Sequence, residues 1–197
     1  PAQRRELRAR GQRTMRKLLD AGSDVFATKG YHAARVDDIV KLARTSHGTF
    51  YLYFSNKEDL FRVLAGEVAD EMQILAESLG PLVPGSDGRA ALRDWIQRFA
   101  ELYENNGPVV RAWTEAEMAS LEFGRLGTDV LTKFTRVLTE RIRTVAPPGI
   151  DPVIAALALV AMLERLNYYV ISNQVRIDPA QMVESLARVT HAALFGA

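Results

Sequence analysis

The chain has 197 residues, 48% of them apolar and 25% charged, a balance that suits one or two soluble globular domains. It contains no cysteine, which excludes a disulfide framework and any thiolate metal site. The net charge of +1 hides an asymmetry: residues 1–65 carry +6 and residues 66–197 carry −5, so the first third is suited to meet a polyanion.

In chain order, Pro1–Gln12 holds Arg4, Arg5, Arg8 and Arg10 without an apolar face. It reads as a disordered arm, either a solvated tail or a reach toward DNA. Arg13–Lys29 is predicted helical, with Met15, Leu18, Leu19, Gly22, Val25 and Phe26 as its buried stripe and Gly30 just past its end. Val36, Ile39, Val40 and Ala43 then recur at helical spacing, with Asp37 and Asp38 in the first turn, where the helix dipole favours acids. Arg44 and Thr45 interrupt the pattern, and Ser46 is suited to cap a second short helix, His47–Tyr53. Phe50 and Phe54, four apart, can both point back at the first helix, leaving His47, Thr49, Leu52 and Tyr53 outward. Two short helices across a tight turn, the second with polar and aromatic groups on its free face, describe a helix-turn-helix that reads the DNA major groove.

The run Gly30-Tyr31, Val36, Ile39, Ala43, Ser46, Gly48-Thr49-Phe50-Tyr51, Tyr53-Phe54, Lys57-Glu58 and Leu60 resembles the DNA-binding domain of the tetracycline-repressor (TetR) family of bacterial regulators. Two positions depart from the family pattern: Arg35 stands where Ser or Thr usually caps the first helix, and Arg44 where Gly is usual in the turn. Beyond Leu60 the resemblance is one of architecture only. It implies a homodimer on a palindromic operator in double-stranded DNA, a helical body with a small-molecule cavity, and pairing of the last two helices with their copies.

After the motif, Ser55 or Asn56 caps a helix running to about Leu79, with Glu58 or Asp59 as capping-box partner. Gly80–Gly88 reads as a loop. A helix from near Asp87 carries Leu92, Trp95, Ile96, Phe99, Leu102 and Tyr103 and stops at Asn105-Asn106-Gly107; Pro108 opens the next. Gly124 and Gly127 read as a break or bend before the amphipathic stretch Val130–Val145, which Pro147-Pro148-Gly149 ends. Asp151-Pro152 and Asp178-Pro179 start the final two helices, Asp as cap and Pro as first residue. The predicted fold is all-α with about nine helices. Residues 1–55 form a three-helix DNA-binding domain, and residues 56–197 an effector-binding and dimerisation domain joined through helix 56–79. The longest apolar run, Pro152–Leu163, has twelve residues, short for a bilayer. The basic N-terminus lacks a signal peptide's apolar segment. The expectation is a cytoplasmic protein without a membrane.

No nucleophile motif, metal-binding spacing or phosphate loop occurs, so the reading calls for neither enzyme, metal nor cofactor. The candidate DNA-binding residues are Arg35, Arg44, Thr45, Ser46, His47, Gly48, Thr49, Tyr51, Tyr53 and Lys57. His47 and Thr49 are suited to base edges, Gly48 to close backbone approach, and Tyr51, Tyr53 and Lys57 to phosphates. His47 can equally be a solvated surface histidine, and Tyr51 a packing residue. The candidate effector site is Trp95, Phe99, Tyr103, Trp113, Phe123 and Phe134, with Glu164 and Asn167 as polar orienting groups for an apolar ligand. Such aromatics are alternatively plain core, and Glu164-Arg165 an interface ion pair. The helix from Pro152 is apolar on two faces and must be buried on two sides. Ile154, Leu157, Ala161 and Tyr168 there, with Leu186, Val189 and Ala193 on the last helix, are the expected dimer interface.

Overall fold

A computed structural model of the protein describes residues 2–196, the side chains of residues 2–9 and 119 excepted. The described residues form nine helices: α1 (Ala2–Ala33), α2 (Val36–Leu42), α3 (His47–Tyr51), α4 (Lys57–Glu77), α5 (Gly85–Asn105), α6 (Gly107–Ala119), α7 (Leu121–Arg143), α8 (Pro152–Ile171) and α9 (Pro179–Phe195). They divide into two compact units. One comprises Pro1–Val68 and Pro108–Gly124, the other Ala69–Gly107 and Arg125–Ala197. Helix α4, expected as a connector, is therefore shared between them, and α6 belongs with the helix-turn-helix.

Three sequence expectations need correction. The expected arm is the start of α1, because the Ala, Gln, Arg, Glu and Leu of its first residues are all good helix formers; the side chains of Arg4, Arg5 and Arg8 lie outside the described residues. The loop ends earlier than Gly88, since α5 begins at Gly85. Gly124 and Gly127 lie inside α7, and the break falls at Ser120.

The first unit is built on an aromatic centre. Phe26 of α1, Tyr31, Phe61 of α4 and Phe123 of α7 are all buried, with ring centroids 5.0–6.0 Å apart. Gly30 ends the regular part of α1 with φ 75 and ψ 171, a region that essentially only glycine occupies. Its missing Cβ also makes room for α6: the Glu115 carboxylate accepts the Tyr31 backbone N–H at 2.7 Å, and a Cβ on Gly30 would sit 2.9 Å from Glu115 Oε2. Ion pairs link the helices at the rim: Arg16 to Glu67 at 2.9 Å, Lys29 to Asp38 at 2.6 Å and Arg62 to Glu122 at 2.5 Å. The hydrogen bond from Lys29 holds the Asp38 carboxyl below its ordinary range, and that from Arg62 does the same for Glu122.

The second unit buries Leu92, Trp95, Ile96, Phe99 and Tyr103 of the predicted α5 stripe, while Leu102 is half-buried. The Trp95 indole N–H donates to the Leu75 carbonyl at 2.8 Å. Helices α5, α8 and α9 pack on one another. Asp151 accepts the N–H groups of Val153 and Ile154, and Asp178 that of Ala180, so both Asp-Pro starts are realised. Helix α8 extends the twelve-residue apolar run to 20 residues with a mean hydropathy of 1.5, enough by length and composition to cross a membrane. It nevertheless carries Glu164 and Arg165 and buries Ala156, Leu159, Val160, Leu163 and Asn167 in its own unit.

Candidate nucleic-acid interface and effector body

The turn between α2 and α3 is made by Arg44 at φ 51, the left-handed conformation that favours glycine. That is the physical reason glycine suits this position in the sequence pattern. Replacing Arg44 with glycine is expected to raise stability by about 1 kcal/mol. A chemical-denaturation midpoint that falls would contradict this. Thr45 continues the turn, its N–H bonded to the Val40 carbonyl at 3.0 Å. Ser46 caps α3 as expected, accepting the Thr49 N–H at 3.1 Å, and its Oγ lies 3.0 Å from the Thr49 hydroxyl. Arg35 occupies the cap of α2 without a side-chain bond to it.

Phe50 and Phe54 are buried at 0% and 2% exposure and hold α3 down, their rings 5.6 Å apart. Left exposed are Arg35, Arg44, Ser46, His47, Gly48 and Tyr51, with Thr45 and Thr49 half-buried. Leu52, 81% exposed just past the end of α3, belongs to the same surface. Its absence from the expected site residues reflects a bias toward polar groups, although its place off the Phe50–Phe54 face was legible. Gly48 has room for a Cβ, the nearest atom being Ser46 Oγ at 3.7 Å, so nothing inside the protein requires glycine there.

Of the expected phosphate contacts, Lys57 is engaged within the protein itself and Tyr53 lies beside α1. Tyr53 is half-buried, and its hydroxyl would meet a Cβ on Gly11 of α1 at 3.5 Å. Lys57 donates to the carbonyls of Tyr31, His32 and Ala34 at 2.8, 3.1 and 3.0 Å and lies 4.9 Å from the Tyr31 ring centroid. The sharp turn after Gly30 leaves these carbonyls without helical donors, and the three ammonium N–H groups satisfy them. Lys57→Met is accordingly expected to cost about 2 kcal/mol of stability. The salt dependence of DNA binding should stay near that of the unaltered protein, measured by fluorescence anisotropy; a slope lower by one unit would restore Lys57 to a phosphate.

The expected effector residues separate. Trp95, Phe99, Tyr103 and Phe134 are buried together in the second unit, with centroids 4.9–6.4 Å apart. Asn167 is buried and donates to the Leu163 carbonyl at 2.8 Å. Glu164 is half-buried; burial pushes its carboxyl above the usual range, and Arg165, 3.6 Å away, partly opposes this. Trp113 and Phe123 instead belong to the first unit, where the Trp113 indole donates to the Phe123 carbonyl at 3.2 Å and the Phe123 ring packs on Tyr31 and Phe61. Of the expected interface residues, Ile154 and Leu157 are 67% and 44% exposed and Val189 56%. Ala161 and Ala193 are exposed and Tyr168 half-buried. Leu186 is buried at 5% exposure in the core of its own unit, a correction that follows from the packing of α9 on α5.

Residues 18–64 match the family model of bacterial regulatory proteins of the tetR family, and residues 92–196, over half the chain, match that of the C-terminal domain of the transcriptional regulator EthR. The chain belongs to the TetR family. It is a helix-turn-helix transcriptional regulator. The regulator EthR of Mycolicibacterium smegmatis is 26% identical across 100% of this chain and 93% of that protein. A TetR-family regulator from Rhodococcus RHA1 superposes with TM-score 0.73 at 19% identity, covering 92% of this chain and 96% of that one. FadR of Bacillus subtilis, solved in complex with stearoyl-CoA, gives TM-score 0.67 at 21% identity over 92% and 98% of the respective chains. At such identities these two structures speak for the TetR fold alone.

Proposed function

We propose that this TetR-family protein is a cytoplasmic homodimeric repressor. Each subunit presents α3 to one half-site of a palindromic operator, and a small, largely apolar effector releases it. The observation that carries the reading is the exposed surface Arg35, Arg44, Ser46, His47, Gly48, Tyr51 and Leu52 on the basic end of the chain. Gly48 supports it further: a bare backbone that the fold itself does not need suits close approach to DNA. Val153, Ile154, Leu157 and Ala161 on α8, with Val189 and Ala193 on α9, leave an apolar face that pairing with a second copy would cover. A groove of about 380 Å³ lined by Met162, Leu166, Ile177 and Val189 adjoins it. The rings of Trp95, Phe99, Tyr103 and Phe134 support an apolar ligand that enters by parting them, with Glu164 and Asn167 as its polar contacts.

The test is selection from a random double-stranded pool, followed by titration of the selected sequence at several salt concentrations. A palindrome should emerge, and log affinity should fall with log salt by about 0.9 per phosphate neutralised. Binding without sequence preference and with a slope near zero would remove the DNA-binding reading. An effector found by thermal-shift screening should bind operator-loaded protein more weakly, by the same factor with which it weakens DNA binding. Equal effector affinities with and without operator would remove release by ligand.

A further inference from the structure

His47 opens α3, and its Nε2 lies 2.6 Å from Oδ1 of Asp37 on α2. Both side chains are well exposed, His47 at 55% and Asp37 at 75%. A carboxylate only accepts, so the hydrogen in this bond belongs to the imidazole. In the neutral ring, Nδ1 is then a bare acceptor, and Asp37 keeps a second oxygen that also only accepts. Neither atom has a protein partner among the described residues. With the ring neutral, the pair therefore gives this exposed surface two acceptors, His47 Nδ1 and the second Asp37 oxygen. A neutral histidine without such a neighbour can exchange tautomers and act as donor or acceptor; while the ring is neutral, Asp37 removes that choice.

In the major groove, adenine and cytosine offer amino hydrogens at N6 and N4, whereas guanine offers O6 and N7 and thymine O4. We propose that Asp37 is a positioning residue that fixes His47 as an acceptor and so makes each half-site prefer an amino-bearing base, adenine or cytosine, where His47 reaches. The inference rests on α3 being the recognition helix.

The test is random-pool selection with the unaltered protein, Asp37→Ala, Asp37→Glu and His47→Ala. The unaltered protein should favour adenine or cytosine over guanine and thymine by about tenfold at one position of each half-site. Asp37→Glu, which keeps a carboxylate, should preserve that preference. Asp37→Ala and His47→Ala should flatten the same position and leave the others unchanged, with thermal melts that track the unaltered protein. A purely structural role for Asp37 would instead weaken all positions together, and that result overturns the proposal. So does an Asp37→Ala selection identical to that of the unaltered protein, or a His47-dependent position that favours guanine or thymine. An unaltered protein that enriches no sequence overturns the recognition-helix reading itself, an outcome distinct from a palindrome that is indifferent to Asp37.

Discussion

Leu157→Arg is expected to turn the dimer into a monomer that keeps its helices. The side chain is 44% exposed within its own subunit, between Ile154 and Ala161 on the uncovered face of α8, so a guanidinium there can stay in water while the subunit folds. In a paired face the same charge loses its hydration, a penalty of several kcal/mol. Operator affinity should fall by at least about a hundredfold, because two half-sites are no longer bound by one linked molecule. Sedimentation separates the outcomes: a Leu157→Arg protein that still sediments as a dimer would place the interface elsewhere.

Gly30→Ala should cost the first unit about 3 kcal/mol. Part of this is the backbone, since φ 75 with ψ 171 costs a side-chain-bearing residue about 1–3 kcal/mol. The rest follows from Glu115: a Cβ at 2.9 Å from Oε2 pushes the carboxylate off the Tyr31 N–H, and losing a charge-assisted bond costs about 1.5–3 kcal/mol. Glu115→Gln separates the two contributions, because it keeps the acceptor and the glycine and weakens only the charge. Denaturant unfolding of the full chain should rank the unaltered protein above Glu115→Gln and Glu115→Gln above Gly30→Ala. A Gly30→Ala protein of unaltered stability would mean that the turn relaxes.

What was legible in the sequence is what short-range physics controls. The Ser46 cap and the inward pair Phe50 and Phe54 depend on neighbours within four residues, as do the Asp-Pro helix starts and the α5 stripe. The apolar excess of α8 also showed, although which residues of α9 face outward did not: Leu186 and Val189 are three apart and one is buried, the other exposed. What stayed hidden depends on partners far along the chain. Nothing near Lys57 indicates that three carbonyls 23–26 residues earlier claim its ammonium, and nothing near Gly30 points to a carboxylate 84 residues away. Trp113 and Phe123 read as members of the body because aromatic content alone cannot assign a ring to one core or another. In α7, Gly124 and Gly127 suggested a break, but tertiary packing carries the helix through them at the modest cost of glycine in a helix.

The discontinuous make-up of the first unit bears on how such regulators can be recombined. Its core draws Phe123 and Trp113, and its hydrogen-bonding and ionic groups Glu115 and Glu122, from residues 108–124, with some forty residues of the other unit between. A chimera joined within α4, taking the DNA-reading segment from one protein and everything after it from another, would fuse a half-built core to foreign partners for Tyr31, Phe61 and Arg62. Operator specificity should therefore transfer between homologues far more readily by exchanging the exposed residues of α2 and α3 than by exchanging the whole N-terminal segment. Inheritance would be expected to leave the same trace, with the surface of α3 diverging freely while Gly30, Glu115 and Phe123 change only in concert.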